Sequence, residues 1–162
     1  MTDKSKGNHA YNEFMRHVEM YEHDKILNQI DKTRPFTFGA EINVMLITDR
    51  LFGCAEGLRA YLRNSVDVIV DIVHSVEEAR VTMPYRLRYD FLIIVGFLGI
   101  EQNYDIINEM KKIHKDVITI MYARLGKVIQ DECKLYEIEH AFSSDDPVDS
   151  FIAHMRALHI AR

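Results

Sequence analysis

The spacing of apolar residues along this chain changes character near residue 40. In "AYNEFMRHVEMYEHDKILNQIDK" (10–32), Tyr11, Phe14, Met15, Val18 and Tyr21 recur at intervals of three and four. That spacing predicts a helix with one apolar stripe. Ile26, Leu27 and Ile30 lie about 100° or more round the helix from that stripe. The helix therefore either breaks near Asp24 or touches two surfaces. "TRPFTFG" (33–39) contains a proline and a glycine and reads as a linker.

Beyond it, unbroken apolar runs alternate with amphipathic ones. "INVMLIT" (42–48), "VDVIVDIV" (66–73), "DFLIIVG" (90–96) and "VITIMYA" (117–123) are runs of the kind that strands buried on both faces require. "YEIEHAF" (136–142) is a short fifth strand. Between them, 51–64 places Leu51, Cys54, Ala55, Leu58 and Leu62 on one helical face. Residues 75–83 open with Ser75 and Glu78 in capping-box register, and Pro84 ends the helix. Residues 104–115 turn Ile106, Ile107, Met110 and Ile113 inward. Residues 126–135 form a weaker helix. The last helix, 146–160, has Asp146 as N-cap and Pro147 at its first position. Its inner face is Phe151, Ile152, Met155, Leu158 and His159.

Five strands alternating with five helices imply a parallel sheet covered on both faces, because crossovers are right-handed. With no sixth strand, the expected architecture is a flavodoxin-like doubly wound α/β domain, strand order 2-1-3-4-5. The expected organisation is an N-terminal helical extension and linker (1–39) followed by one domain (40–162). The chain of 162 residues is 48% hydrophobic, enough for a sizeable core. There is no internal repeat and no low-complexity segment.

Charge and cysteine content narrow the function. Net charge is −5 with no basic stretch, which argues against nucleic acid. Cys54 and Cys133 are far apart, without metal-type spacing, and read as reduced thiols. No apolar run approaches a membrane span and the N-terminus is too polar for a signal peptide, so a cytoplasmic protein is expected. Asp71 and His74 could do acid–base work, but nothing nucleophilic accompanies them and a surface pair is the plainer reading. His17 with His23, and His154 with His159, lack the i,i+4 spacing of helical metal ligands. "GFLG" and "LFGCAEG" match no phosphate- or dinucleotide-binding loop. No metal, no cofactor and no enzymatic activity are expected.

Taken in order, "NVMLITDR", "YDFLIIVG", "VITIMYA" and "AFSSDDPVDSFIAHMRAL" resemble the corresponding segments of the receiver domain of bacterial response regulators over residues 42–160. The resemblance implies a defined chemistry. Family receivers hold a divalent metal with an acidic pair after the first strand. They accept a phosphoryl group on an aspartate ending the third strand. A Ser or Thr ending the fourth strand and a Lys after the fifth bind that group. At these positions this chain has Thr48-Asp49, Val95, Tyr122 and Ser144. One carboxylate remains, and the acceptor position carries an isopropyl group. The resemblance therefore implies a degenerate, pseudo-receiver pocket.

Three expectations about function follow. The first is a non-catalytic signalling protein that acts by protein–protein contact, independently of aspartyl phosphorylation. Its interface would be the face of the fourth helix, fifth strand and fifth helix of the domain, around Lys134, Tyr136, Glu137, His154 and Arg156. A homodimer could form there or through Tyr11, Phe14, Val18 and Tyr21 of the N-terminal helix, which otherwise packs back on its own domain. The second is a small-ligand sensor using Asp49, Arg50, Gly96, Phe97, Tyr122 and Arg124 at the carboxyl edge of the sheet. The third, an enzyme, is the weakest, since no triad, metal cluster or phosphate loop can be assembled; in the pocket itself, Arg50 or Arg124 could pair with Asp49 as a charge lock. Output would come from a partner or from a longer protein.

Overall fold

A computed structural model describes residues 4–30, 37–48, 54–96, 101–124 and 126–161. The strands are β1 (Ile42–Ile47), β2 (Val68–Val73), β3 (Phe91–Val95), β4 (Ile118–Ala123) and β5 (His140–Ser143). All pairs are parallel, in the order β2-β1-β3-β4-β5. The helices are α1 (Lys4–Leu27), α2 (Cys54–Arg63), α3 (Val76–Thr82), α4 (Asp105–Ile113), α5 (Lys127–Leu135) and α6 (Val148–Ile160). This is the flavodoxin-like doubly wound fold that the sequence pattern predicts.

Strand side chains alternate between two cores. Val44 and Leu46, Phe91, Ile93 and Val95, and Ile120 and Tyr122 meet α2, α6 and the end of α1. Met45 and Ile47, Leu92 and Ile94, and Met121 meet α3, α4 and α5. The inner strands β1, β3 and β4 are therefore apolar almost throughout.

α1 runs unbroken through Asp24 and ends at Leu27, five residues short of the expected limit. Its last turn reaches the domain through the second stripe: Ile26 is buried, and Ile30 packs beside it. Tyr21, from the first stripe, is exposed. The side chains of Tyr11, Phe14 and Val18 lie outside the described residues. The two helices approach closely at Gly57. A Cβ there would stand 3.0 Å from Ile26 Cβ and 3.2 Å from the His23 carbonyl oxygen. At the amino edge, Asp67 gathers the incoming chain. Its carboxylate accepts from Thr37 Oγ1 (2.6 Å), the Phe38 and Gly39 amides (both 3.0 Å) and Ser65 Oγ (2.5 Å).

Several local expectations need correcting. β5 starts at His140, because residues 136–138 close α5 instead. The Ile138 amide bonds the Cys133 carbonyl (2.9 Å) and Glu137 takes a left-handed φ of 55°. These are the marks of a Schellman cap. α6 starts at Val148 with Pro147 as N-cap, and no side chain within its own segment caps it. Asp146 instead turns back to the Ser143 carbonyl. Glu78 reaches the His74 amide (3.0 Å), one residue before the position a capping box uses, while Ser75 Oγ accepts from the Glu78 amide as expected. Ile113 is half exposed, and the buried residue at that end of α4 is His114. Asp71 pairs with Arg86 and Tyr89.

Candidate functional site

Parallel strands bring their carboxyl ends to one edge, where such folds place their sites. Here that edge joins Ile47 and Thr48 at the end of β1, Val95 and Gly96 at the end of β3, Tyr122 to Arg124 at the end of β4, and Ser144 after β5. Register fixes the neighbours: Val95 lies beside Tyr122, and Tyr122 beside Phe142. Asp49, Arg50 and Phe97 lie outside the described residues.

The centre of this edge is apolar and closed. Val95 is 3% exposed and Tyr122 1%. The Tyr122 ring leans on Phe151 of α6 at 4.9 Å between centroids. Gly96 follows with φ 81°, a left-handed conformation that glycine adopts without strain, and its amide bonds the Tyr122 carbonyl (2.9 Å). Thr48 is buried, with its amide on the Val73 carbonyl (3.1 Å). The Ser144 amide bonds the Ala123 carbonyl (2.9 Å), which continues the ladder past β5.

Charge sits at the rim, beside β4 and β5. Arg124 is exposed and its Nε stands 3.5 Å from Asp145 Oδ2. Lys25 of α1 approaches Asp145 Oδ1 at 3.8 Å. Tyr21, Glu22, Lys25 and Ile26 close over Arg124, Ser144 and Asp145, leaving a recess of about 20 Å³, close to the room one water needs. Just beyond, Gln29 Oε1 accepts the Val148 amide of α6 at 2.9 Å. α1 and the turn that follows it thus supply parts of this edge that no pattern in 40–162 signals. Lys25 and Gln29 are one helical turn apart, which was the available hint.

A larger cleft of about 180 Å³ opens at the same edge between β1 and β2, lined by Ile47, Thr48, His74, Ser75, Val76, Glu77 and Asn103. Of the residues expected to bind a small ligand, Gly96, Tyr122 and Arg124 do not line it. Among the described residues, no cluster of three or more His, Cys, Asp or Glu is placed to hold a metal, and no helix is long and apolar enough to cross a membrane.

The remaining expected interface residues lie elsewhere. Lys134 and Glu137 are exposed at the end of α5, and Tyr136 stacks on Tyr104 with centroids 4.1 Å apart. On α6, His154 is exposed and meets the Phe142 ring edge-on, and Arg156 lies over Phe38.

No protein-family model matches the sequence, and no curated protein matches it. Solved structures match its fold. A chemotaxis protein CheY4 from Vibrio cholerae superposes with a TM-score of 0.59 at 11% identity, covering 74% of this chain and 99% of that one. A chain from the complex of the CheA3 P1 domain with CheY6 of R. sphaeroides gives 0.60 at 13%, covering 76% and 100%. The HemR receiver domain of Leptospira biflexa gives 0.57 at 16%, covering 74% and 94%. At these identities the likeness concerns fold, and that fold is the one seen in CheY-like receiver domains.

Proposed function

We propose that this chain is a non-catalytic pseudo-receiver, a signalling module that works by protein–protein contact and does not use aspartyl phosphorylation. The observation that carries the reading is Val95. It ends β3 where the resemblance puts the phosphoacceptor, and it is buried beside Tyr122. An isopropyl group has no nucleophilic oxygen. The divalent cation of the family fits poorly too. Hard cations take oxygen ligands, and this edge offers the Thr48 hydroxyl and an apolar side chain at two of the positions where carboxylates belong. Tyr122, wedged against Phe151, stands where receivers carry a small hydroxyl residue.

In this reading residues 1–39 are an extension that braces the 40–162 domain, and the α5–β5–α6 face meets the partner. The test is a titration with magnesium and beryllofluoride, a mimic of aspartyl phosphate, followed by backbone amide NMR. Amides at 49, 95 and 122 should not move. A saturable, magnesium-dependent shift there would sink the reading.

The second reading, a small-ligand sensor, draws support from the cleft between β1 and β2. It moves the ligand from the expected residues to Thr48, His74, Ser75 and Asn103. Thermal stabilisation by a ligand, lost on filling the cleft with Ser75→Phe, would favour it.

A further inference from the structure

Opposite this edge, the segment joining α3 to β3 is held rigidly from two sides. His114, buried after α4, touches it twice. The Tyr89 amide donates to His114 Nδ1 (3.2 Å), and Nε2 faces the Met83 carbonyl (2.9 Å). An amide can only donate, so Nδ1 is the bare nitrogen and Nε2 carries the hydrogen. Asp71 of β2 holds the other side. It takes Arg86 through Nε (2.5 Å) and Nη2 (2.8 Å), and the Tyr89 hydroxyl (2.6 Å). The guanidinium keeps this carboxyl below its ordinary range, outweighing its burial.

Between these anchors, Tyr85 is 83% exposed and Leu87 fully exposed. Folding gains nothing from apolar side chains held in water. A pre-ordered segment carrying tyrosine and arginine suits a binding surface, because little entropy remains to be lost on contact. Leu87 and Ile113 also line a cleft of about 200 Å³, with Arg88, Lys115 and Asp116 on its rim.

The charge of this surface says what covers it. Arg88 is largely exposed, while its partner Asp90 is almost fully buried. Arg86 and Asp71 are both partly buried and cancel each other in their two-pronged pair. Lys112 and Lys115 are exposed and make no ion pair among the described residues. Asp116 is the acid among them. The surface is therefore basic on a chain with 25 acidic against 20 basic side chains. The complement lies on the same chain. Leu135 of α5 is 67% exposed. Asp131 and Glu132 precede it by four and three positions, so they share its helical face, and Glu137 follows. Lys134 is the neighbouring base.

We infer that the basic, apolar surface around Tyr85, Leu87 and Arg88 docks the acidic surface around Leu135 of a second copy of this chain. The contact is head-to-tail. Docked head-to-tail, each terminal copy keeps one surface free, so the assembly passes beyond a dimer to a ring or a filament, whereas reciprocal docking of the two surfaces would stop at a symmetric pair. The inference rests on the partner face proposed above and adds its counterpart. It does not depend on whether the carboxyl edge is phosphorylated.

The test is sedimentation velocity of the full chain across a concentration series. Mass should rise with concentration at about 0.1 M salt and the rise should weaken at least tenfold at about 1 M, as the Debye length falls from roughly 10 Å to roughly 3 Å. Leu87→Asp and Leu135→Lys alter exposed side chains, and each should abolish growth. Mixed in equal amounts, the two variants retain one intact surface each and should form a dimer that grows no further. A wild type that stays monomeric at low salt overturns the inference. So does association that neither variant changes, which would assign it to another surface such as α1. Beryllofluoride shifts would overturn the pseudo-receiver reading and leave this result standing.

Discussion

Gln29 Oε1 accepts the backbone N–H of Val148 at 2.9 Å, so the segment after α1 caps the first turn of α6 from 119 positions away. The first amides of a helix lack partners inside it, and Pro147 offers no side-chain acceptor. Gln29→Ala should therefore cost about 1 kcal/mol, the usual worth of a helix cap. Gln29→Glu keeps an acceptor at a helix N-terminus but loses the donor that Gln29 Nε2 gives the Lys25 carbonyl (3.2 Å), so it should recover only part of that stability. Urea midpoints of the three proteins decide it. Equal midpoints for wild type and alanine variant would show that the contact does not hold α1 to the domain.

Gly57 sets how closely α1 and α2 approach. An alanine in mid-helix ordinarily gains about 1 kcal/mol over glycine. Here its Cβ would press on Ile26 Cβ at 3.0 Å and the His23 carbonyl at 3.2 Å. A backbone oxygen yields less readily than a side-chain tip, so the gain should vanish. The bulkier Gly57→Val should destabilise by about 1–3 kcal/mol through overpacking. Hydrogen exchange should show protection lost at 22–27 before it is lost in β1 or β3. An unchanged midpoint and unchanged protection for the valine variant would refute the close approach.

The sheet was legible because β1, β3 and β4 are buried on both faces, which leaves apolar runs that nothing else in the chain mimics. β5 was harder. It is an edge strand whose side chains are partly exposed, and α5 closes just before it with Glu137 where a glycine would have given the signal. Val95 could be placed from its position at the end of an apolar run. Lys25, Gln29 and Asp145 could not. Their meeting depends on how α1 lies across the domain, and contacts between distant segments leave no periodic trace in sequence. The His114 and Asp71 anchors were hidden for the same reason.

Asp67 makes stability at acid pH depend on the join between the N-terminal segment and the sheet. Burial pushes its carboxyl up, but hydrogen bonds from Ser65, Thr37, Phe38 and Gly39 outweigh burial and bring it from 3.8 to about 2. A depressed folded value means the carboxylate stabilises the fold at and above pH 4. That contribution is lost as pH falls from about 4 through 2. Asp67→Asn should lower the urea midpoint at pH 7, and the gap to wild type should close across that acid window. A gap that stays constant with pH would mean that the charge of Asp67 is not what holds Thr37, Phe38 and Gly39.

Glu137 sits at the left-handed position of the α5 cap, with φ 55°. Side chains with a Cβ are strained there, by about 1–2 kcal/mol, and glycine is not. Glycine also gains entropy in the unfolded chain, which offsets part of the relief. Glu137→Gly should therefore stabilise by about 0.5–1 kcal/mol, and Glu137→Ala should gain nothing. Glu137 also belongs to the acidic surface around Leu135, so the same glycine variant should raise the urea midpoint while weakening self-association in sedimentation. Residues kept for folding alone do not separate these two readouts. A variant that is more stable and associates as well as wild type would leave the cap intact as an explanation and remove Glu137 from the interface.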